Sequence, residues 1–385
     1  MKMNSRTSIM ITFFLAVYTG INYYLGWHIT EWFDGIGFTY SPWAFWVPFG
    51  IIAFGYIAGR VPLPQVLKPI GRLLKVVGSY YIFIMEAGFL LFLIGDLIRF
   101  IVAIFGANVG DYALYANSAI LAIIVILLVV GSRNAWSPVI RKYDLEINKV
   151  AAVDGKKQWT VAVASDIHLG NVVGRKHLKR LIDRVNAMDA DLVLLPGDVI
   201  DDSIEPFLRN KMGNLLSQLK AKEGVYAILG NHEYYGGHVE QYIEEMNKIG
   251  IRVLRDETVD IAGQLHLAGR KDKTAESLDP SKRLSADELL RSLDKSKPII
   301  LMDHQPTKFA QAAEAGADIM LSGHTHRGQF FPNHLVTKRL FELDWGYMRK
   351  GAMHVIVSSG FGSWGPAIRI GSRSEIIQIK VKLNS

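Results

Sequence analysis

Seven side chains in this sequence have the chemistry of metal ligands: Asp166, His168, Asp198, Asn231, His304, His324 and His326. His324 and His326 stand two residues apart in the glycine-flanked run Ser322-Gly323-His324-Thr325-His326-Arg327-Gly328-Gln329. Upstream lie Asp166-Ile167-His168, Gly197-Asp198, Gly230-Asn231-His232-Glu233 and Asp303-His304-Gln305-Pro306. Imidazole nitrogens and carboxylate oxygens suit hard-to-borderline divalent ions. The chain has no cysteine, which excludes thiolate sites and disulfides alike. A single Asp-x-His or Gly-Asp is common and by itself reads as a turn. The whole set is large enough to hold two ions.

Each of these stretches follows an apolar run. Residues 160–164 lead into Asp166, 192–195 into Asp198, 225–229 into Asn231, 299–302 into His304, and 317–321 into His324. Runs of this length, bounded by turn residues, read as short buried strands. Open α/β sheets bind their ligands outside the carboxyl ends of the strands. The five runs are therefore expected to deliver all seven side chains to one sheet edge.

In their order along the chain, D-x-H, G-D, G-N-H-E, H-x-P and G-H-T-H, these motifs resemble those of the calcineurin-like metallophosphoesterases. They span about 165 residues, and the resemblance covers residues 143–385. It implies an α/β fold, a sandwich of two β-sheets flanked by helices, with a dinuclear metal site. It assigns Asp166, His168, Asp198 and His326 to the first ion, and Asp198, Asn231, His304 and His324 to the second. Asp198 is the implied bridge and His232 the implied catalytic histidine, placed over the phosphate to stabilise charge and protonate the leaving oxygen. Glu233 is expected to orient one of these groups. The implied reaction is hydrolysis of a phosphate ester by a metal-bridging hydroxide, two ions about 3.5–4 Å apart lowering the pKa of the bridging water and clamping the phosphate. Mn, Fe and Zn all accept N/O ligands, so the identity of the ions stays open.

Other residues near the motifs have two readings each. Arg327 stands where the family often has a small residue; it would either fork onto a phosphate oxygen or face solvent. Arg270 is a similar candidate for substrate binding, as is His238, just past Gly236-Gly237. Asp201 and Asp202 read as a solvated loop. His177, on a basic amphipathic helix, reads as solvated, and His266 and His354 as structural. The stretch 330–348 mixes Phe341, Trp345 and Tyr347 with Lys338, Arg339 and Arg349. That mixture suits a membrane headgroup zone or a hydrophobic cap.

The first third of the chain has a different texture. Four apolar segments, about 8–27, 43–58, 78–105 and 112–130, are expected to be transmembrane helices in a domain of residues 1–132, before the phosphoesterase-like domain of residues 133–385. Lys2 and Arg6 precede the first segment, but the bulky Ile21-Asn22-Tyr23-Tyr24-Leu25 makes no cleavage site, so an uncleaved helix is expected. The third segment carries Glu86, Asp96 and Arg99; the last two, three apart, share a helical face and can pair, and they read as interhelical glue or a pair near the membrane interface, with a substrate role as the alternative. Residues 131–138 read as a helix exit, 139–147 as a strand, and Asp154-Gly155-Lys156-Lys157 as a hairpin turn. Helices are expected over 175–188, 206–219, 239–249, 286–293 and 307–315.

The 385-residue chain carries a net charge of +7, and many of its basic residues flank the apolar segments, so nucleic acid is not an expected partner. Lys2 and Arg6 precede the first segment, and Arg60, Lys68, Arg72 and Lys75 follow the second. Arg133, Arg141, Lys142 and Lys149 follow the fourth, while the connections 27–42 and 106–111 hold no Lys or Arg. This alternation predicts an even number of spans in the plasma membrane, with both termini and the catalytic domain in the cytoplasm. The partners expected are the lipid bilayer and a phosphorylated, amphiphilic substrate. The alternatives are a phosphodiesterase or nucleotidase acting on soluble substrates, and a non-catalytic membrane-anchored scaffold.

Overall fold

The computed structural model describes residues 5–61, 63–106, 112–151 and 155–384. Lys2, Asp111, Asp154 and Ser385 lie outside them. The chain divides into two units, Met1–Val130 and Gly131–Ser385.

The first unit is helical. Helices Ser5–Gly35 and Lys68–Ile104 and the body of helix Tyr112–Trp136 are built from long apolar runs. Among the described residues, three stretches are long and apolar enough to cross a membrane: Thr7–Gly35, Gln65–Ile104 and Tyr112–Trp136. The expected span 43–58 is not one continuous helix. It forms helix Pro42–Ala53, with Pro48 inside it, breaks at Phe54, and continues as the four-residue helix Gly55–Ala58. Twelve helical residues rise about 18 Å, well short of the hydrocarbon thickness of about 30 Å. The break has a packing reason as well. A Cβ at Gly78 would collide with Tyr56 N, just past Phe54, so backbones touch here where a larger residue would hold them apart.

Asp96 and Arg99 do not need each other. Asp96 accepts from the Tyr24 hydroxyl at 2.6 Å and lies 3.2 Å from His28 Nε2, while Arg99 donates to Glu31 at 3.2 Å. Tyr24, His28 and Glu31 recur at three- and four-residue spacing, so helix Ser5–Gly35 presents one polar stripe to another. Asn117 adds bonds to His28 O at 3.2 Å and to Glu31 at 3.3 Å.

The described residues of the second unit contain twelve strands: β1 Val139–Val150, β2 Gln158–Val163, β3 Leu192–Pro196, β4 Val225–Ile228, β5 Ile251–Leu254, β6 Glu257–Ile261, β7 Leu265–Gly269, β8 Ile299–Met302, β9 Ile319–Ser322, β10 Gly346–Lys350, β11 Met353–Val357 and β12 Glu375–Asn384. They form two six-stranded sheets, ordered β1-β12-β2-β3-β4-β5 and β10-β11-β9-β8-β7-β6. Strands β2 to β5 run parallel, as do β7, β8, β9 and β11. Alternation along each strand sorts the side chains. Val161 and Val163 of β2, Leu192 and Leu194 of β3, Leu267 of β7 and Met302 of β8 meet in the core between the sheets. Ala162 and Val193 turn outward beneath helices Arg175–Asn186 and Val239–Lys248. Leu301 and Met320 turn the other way, toward helices Ala286–Leu290 and Phe309–Glu314. The result is the expected sandwich of two sheets flanked by helices.

Three local expectations fail. β1 and β2 make no hairpin, because β12 lies between them, parallel to β1 and antiparallel to β2. The helix expected over 206–219 splits into Glu205–Arg209 and Gly213–Leu216, where Lys211 turns to φ 48°. The helix expected to exit at residue 131 runs on to Trp136. That last turn is packed inside the second unit, with Arg369 N donating to Gly131 O at 2.9 Å and Ser374 N to Asn134 O at 3.2 Å.

Candidate metal centre

The parallel strands of both sheets end at one place. Asp166 and His168 follow β2, Asp198 follows β3, Asn231 follows β4, His304 follows β8, and His324 and His326 follow β9. The structure brings all seven together. Asp166, His168 and His326 present ligand atoms within 4.8 Å of one another, and so do Asp198, His304 and His324. The His168 and His326 Nε2 atoms face each other at 2.9 Å. Asn231 Oδ1 lies 2.8 Å from His324 Nδ1 and 3.1 Å from His304 Nε2, which is itself 3.1 Å from Asp198 Oδ2.

The backbone is bent to achieve this. Asp166, His168, Asp198, His324 and His326 all have positive φ, between 48° and 72°. Such left-handed residues cost about 1–3 kcal/mol each and persist only where the surroundings over-determine them. The flanking glycines are steric requirements. A Cβ on Gly323 would collide with Ser165 and the Asp166 carboxylate, and one on Gly230 with the Asp198 carboxylate.

Second contacts hold these side chains in place. His304 Nδ1 donates to Pro196 O at 2.8 Å, which leaves Nε2 free to bind. His324 N donates to Asp166 Oδ1 at 2.8 Å, and His232 N to Asp198 Oδ1 at 3.0 Å. Glu233 accepts from three backbone amides, those of Asp198, Ile200 and Gly230, at 3.1, 3.0 and 2.7 Å. It thus ties the loop after β3 to the loop after β4.

The electrostatics suit metal ions. Burial pushes His168 and His324 each down to about 4, and pushes His326 well down too, with the neighbouring His168 adding to the effect. All three imidazoles are therefore neutral at physiological pH, the form that ligates. Burial alone would raise the Asp198 carboxyl, but His304 beside it outweighs that and holds it well below the usual range. Burial would lower His304; Asp198 reverses the sign and raises it. The centre thus draws a positive charge toward Asp198, a place that a divalent ion fits.

His232 sits at the edge of this cluster. Its Nδ1 is 2.7 Å from Asp202 Oδ1 and 3.5 Å from Asp201 Oδ1. Burial by itself would lower this imidazole, but the two aspartates and Asp198 together raise it to about 11. Asp201 and Asp202 are therefore not merely a solvated loop. No motif marked them, because their partner is thirty residues away in sequence and adjacent only in space. Arg369 is a second such residue. It is fully buried, donates to Gly360 O and Gly362 O at 3.2 and 2.6 Å, and lies 3.3 Å from His326 Nδ1.

The remaining candidates fall elsewhere. Arg270 is buried and donates to Asp303 at 2.7 Å and to Leu284 O at 2.7 Å, so it braces the residue before His304 and does not reach out for a ligand. Arg327 lies over the Trp345 ring at 4.0 Å. His238 is exposed and lines a cleft of about 690 Å³ together with Tyr234, Arg255, Lys271 and Asp279. His177 is not solvated; it is 2% exposed, with Trp136 and Phe361 rings 4.9 and 4.2 Å away. A basic helix can still bury one face, and His177 lies on the same face as Leu178 and Leu181. His354 is buried, 3.0 Å from the Tyr347 hydroxyl and 3.1 Å from Glu146 O.

Comparison with known proteins follows the same lines. A family model described as calcineurin-like phosphoesterase matches residues 160–328. The chain is 32% identical over 309 residues to a Danio rerio protein named "Transmembrane protein with metallophosphoesterase domain", covering 76% of this chain and 70% of that one. It is 33% identical to an Aquifex aeolicus metallophosphoesterase, covering 63% of this chain and 91% of that protein. It is also 33% identical over 227 residues to a Helicobacter pylori metallophosphoesterase; that match covers 58% of this chain and spans 60% of the relative's length.

Proposed function

Because the chain belongs to the calcineurin-like phosphoesterase family, we propose that it hydrolyses a phosphate ester of an amphiphilic molecule, using two divalent ions, while held in a membrane. The observation that carries the hydrolytic part is the sharing of Asp198. Its Oδ2 faces His304 at 3.1 Å and His168 at 3.8 Å, so one carboxylate touches both halves of the ligand set. Two ions held there would supply a nucleophile at neutral pH and neutralise the phosphoryl oxygens. N/O donors without sulfur fit Mn, Fe or Zn.

The protein's own groups do the rest. Asp202 and Asp201 keep the His232 imidazolium charged through the neutral range, so it can stabilise negative charge and give a proton to the leaving oxygen. Glu233 fixes the loops on which Asp198 and Asn231 sit. Loss of these groups would mark a scaffold; here each is in place, which favours an enzyme.

The amphiphilic substrate follows from attachment. Three helices with the length and composition of membrane spans precede the phosphoesterase unit, and a bilayer would hold the centre among lipids at high effective concentration. A soluble substrate gains nothing from that. On the charge alternation of the short connections, the unit and both termini are cytoplasmic; this needs Pro42–Ala53 and Gly55–Ala58 to cross together as a kinked pair.

The decisive test is a pair of variants assayed for metal content and turnover. Asp198→Ala should lose bound metal and activity together. His232→Ala should keep its metal and lose roughly 10²–10⁴-fold in turnover. If His232→Ala stripped the metal, the roles assigned here would be wrong.

A further inference from the structure

We propose that helix His334–Leu340, with the Phe331 turn before it, is a docking face for an anionic bilayer surface. Phe331, Leu335, Val336 and Leu340 are 60%, 59%, 57% and 71% exposed. A single exposed leucine needs no explanation, but four large apolar side chains within ten residues form a patch that calls for a partner. Lys338 and Arg339, exposed on the same helix, give that partner's charge. Apolar residues beside cations match the acyl boundary and anionic headgroups of a bilayer.

The place of the patch within the unit points the same way. Phe331 N donates to Ile370 O at 2.9 Å, and a Cβ on Gly131 would lie 3.0 Å from the Ile370 side chain. Gly131 belongs to the last turns of helix Tyr112–Trp136, whose preceding residues are apolar over a membrane-spanning length. The patch is therefore one residue layer from the point where the chain enters this unit from its membrane helix. Trp364, 48% exposed, is bound to the same loop through Gln329, whose side chain donates to Trp364 O at 2.9 Å.

Of the aromatics for which composition left a membrane or a cap reading open, Phe341 and Trp345 turn inward, while Tyr347 is 41% exposed. Phe341 lies with its ring 6.0 Å from that of His324, and Trp345 donates to Glu375 at 3.2 Å. These contacts give the docking face a consequence. Thr325, between His324 and His326, donates its hydroxyl to Asp344 O, and Thr337 of the helix donates to Asp344 Oδ2 at 2.6 Å. A bilayer that holds the helix would thus bear, through Asp344, on the loop carrying two of the candidate metal ligands.

The inference rests on the proposed function only in taking the chain to be membrane-held. Because the chain has no cysteine, one introduced thiol is a unique label. L335C and L340C, and K248C at the end of helix Val239–Lys248 as control, would each carry a bimane fluorophore in the full chain. The protein would be reconstituted into phosphatidylcholine vesicles containing phosphatidylglycerol. Nitroxides on the acyl chains should quench positions 335 and 340 at least about threefold more than position 248, the depth expected for an interfacial helix. In the same vesicles, K338E with R339E should lower the docked fraction roughly tenfold. If aqueous iodide reached 335 and 340 as freely as 248, or lipid nitroxides quenched all three alike, the docking face would be refuted. An unchanged docked fraction in the double reversal would overturn the anionic partner. The readout contains no turnover, so its failure leaves the proposed hydrolysis standing, and an inactive enzyme can still dock.

Discussion

His232 and Asp202 make the most informative pair at the scale of single residues. The imidazole lies 7% exposed beside a cluster of neutral histidines, yet it is held charged by carboxylates 2.7 and 3.5 Å away. If the imidazolium is the working form, activity falls as pH rises through its pKa. Asp202→Asn removes a group that raises this pKa, so the alkaline limb of the rate profile should move down by about one to two units, with metal content unchanged. A profile that stays in place while the metal is retained would assign Asp202 a purely structural role. Glu233 makes a contrasting case. It touches no ligand side chain in the cluster, and its effect passes through three backbone amides.

At the scale of elements, the contact between helix Arg175–Asn186 and the turn Gly131–Trp136 stands out. Arg180 donates to Trp136 O at 2.9 Å, Arg184 donates to Pro138 O at 2.7 Å, and the Trp136 ring meets His177 edge-on. Burial pushes His177 down to about 4. The unfolded chain takes up this proton near pH 6.5 and the folded chain only near pH 4. Stability is therefore fully present above about pH 6.5 and is lost as pH falls toward 4, by up to about 3 kcal/mol. His177→Phe keeps the ring stack and removes the titration. Its melting temperature, measured with metal in excess, should fall less than that of the parent between pH 7 and pH 4.5. Equal slopes would mean that this histidine is not held neutral.

At the scale of the whole chain, the predictions concern attachment. Residues 131–385 contain three hydrophobic cores of their own and can be compared with the full chain. Both forms should hydrolyse small generic phosphate esters. On lipid phosphoesters in vesicles the excised unit should lose tenfold or more, roughly the lower end of what tethering supplies. Equal rates on vesicle lipid would remove the case for an amphiphilic substrate. Orientation is tested by fusion after Ser385. A fluorescent protein should fold there and alkaline phosphatase should be inactive in a bacterial host. The opposite pair would mean an odd number of crossings, with Pro42–Ala58 failing to span, and would move the substrate to the outer leaflet.

The seven ligand candidates were legible in the sequence because their cause is local. Each follows an apolar strand in which burial dictates residue type, and Asp198, Asn231 and His324 each follow a glycine whose Cβ would run into a neighbouring candidate ligand, His304, Asp198 and Asp166 respectively. The long apolar helices were legible for the same reason, since a run such as 112–130 leaves few other solutions. Tertiary structure alone decided the features whose causes lie far apart in the chain. Asp96 turns to Tyr24 and His28, about seventy residues away, and not to Arg99 on its own helix. β12 enters between β1 and β2 from more than two hundred residues downstream. Asp202 becomes a partner of His232, and Arg369 of His326, only because loops after different strands converge on one edge. Sequence spacing carries the pattern of burial and the chemistry of each side chain; which distant side chains share a desolvated space is settled by packing, and there electrostatics is strongest.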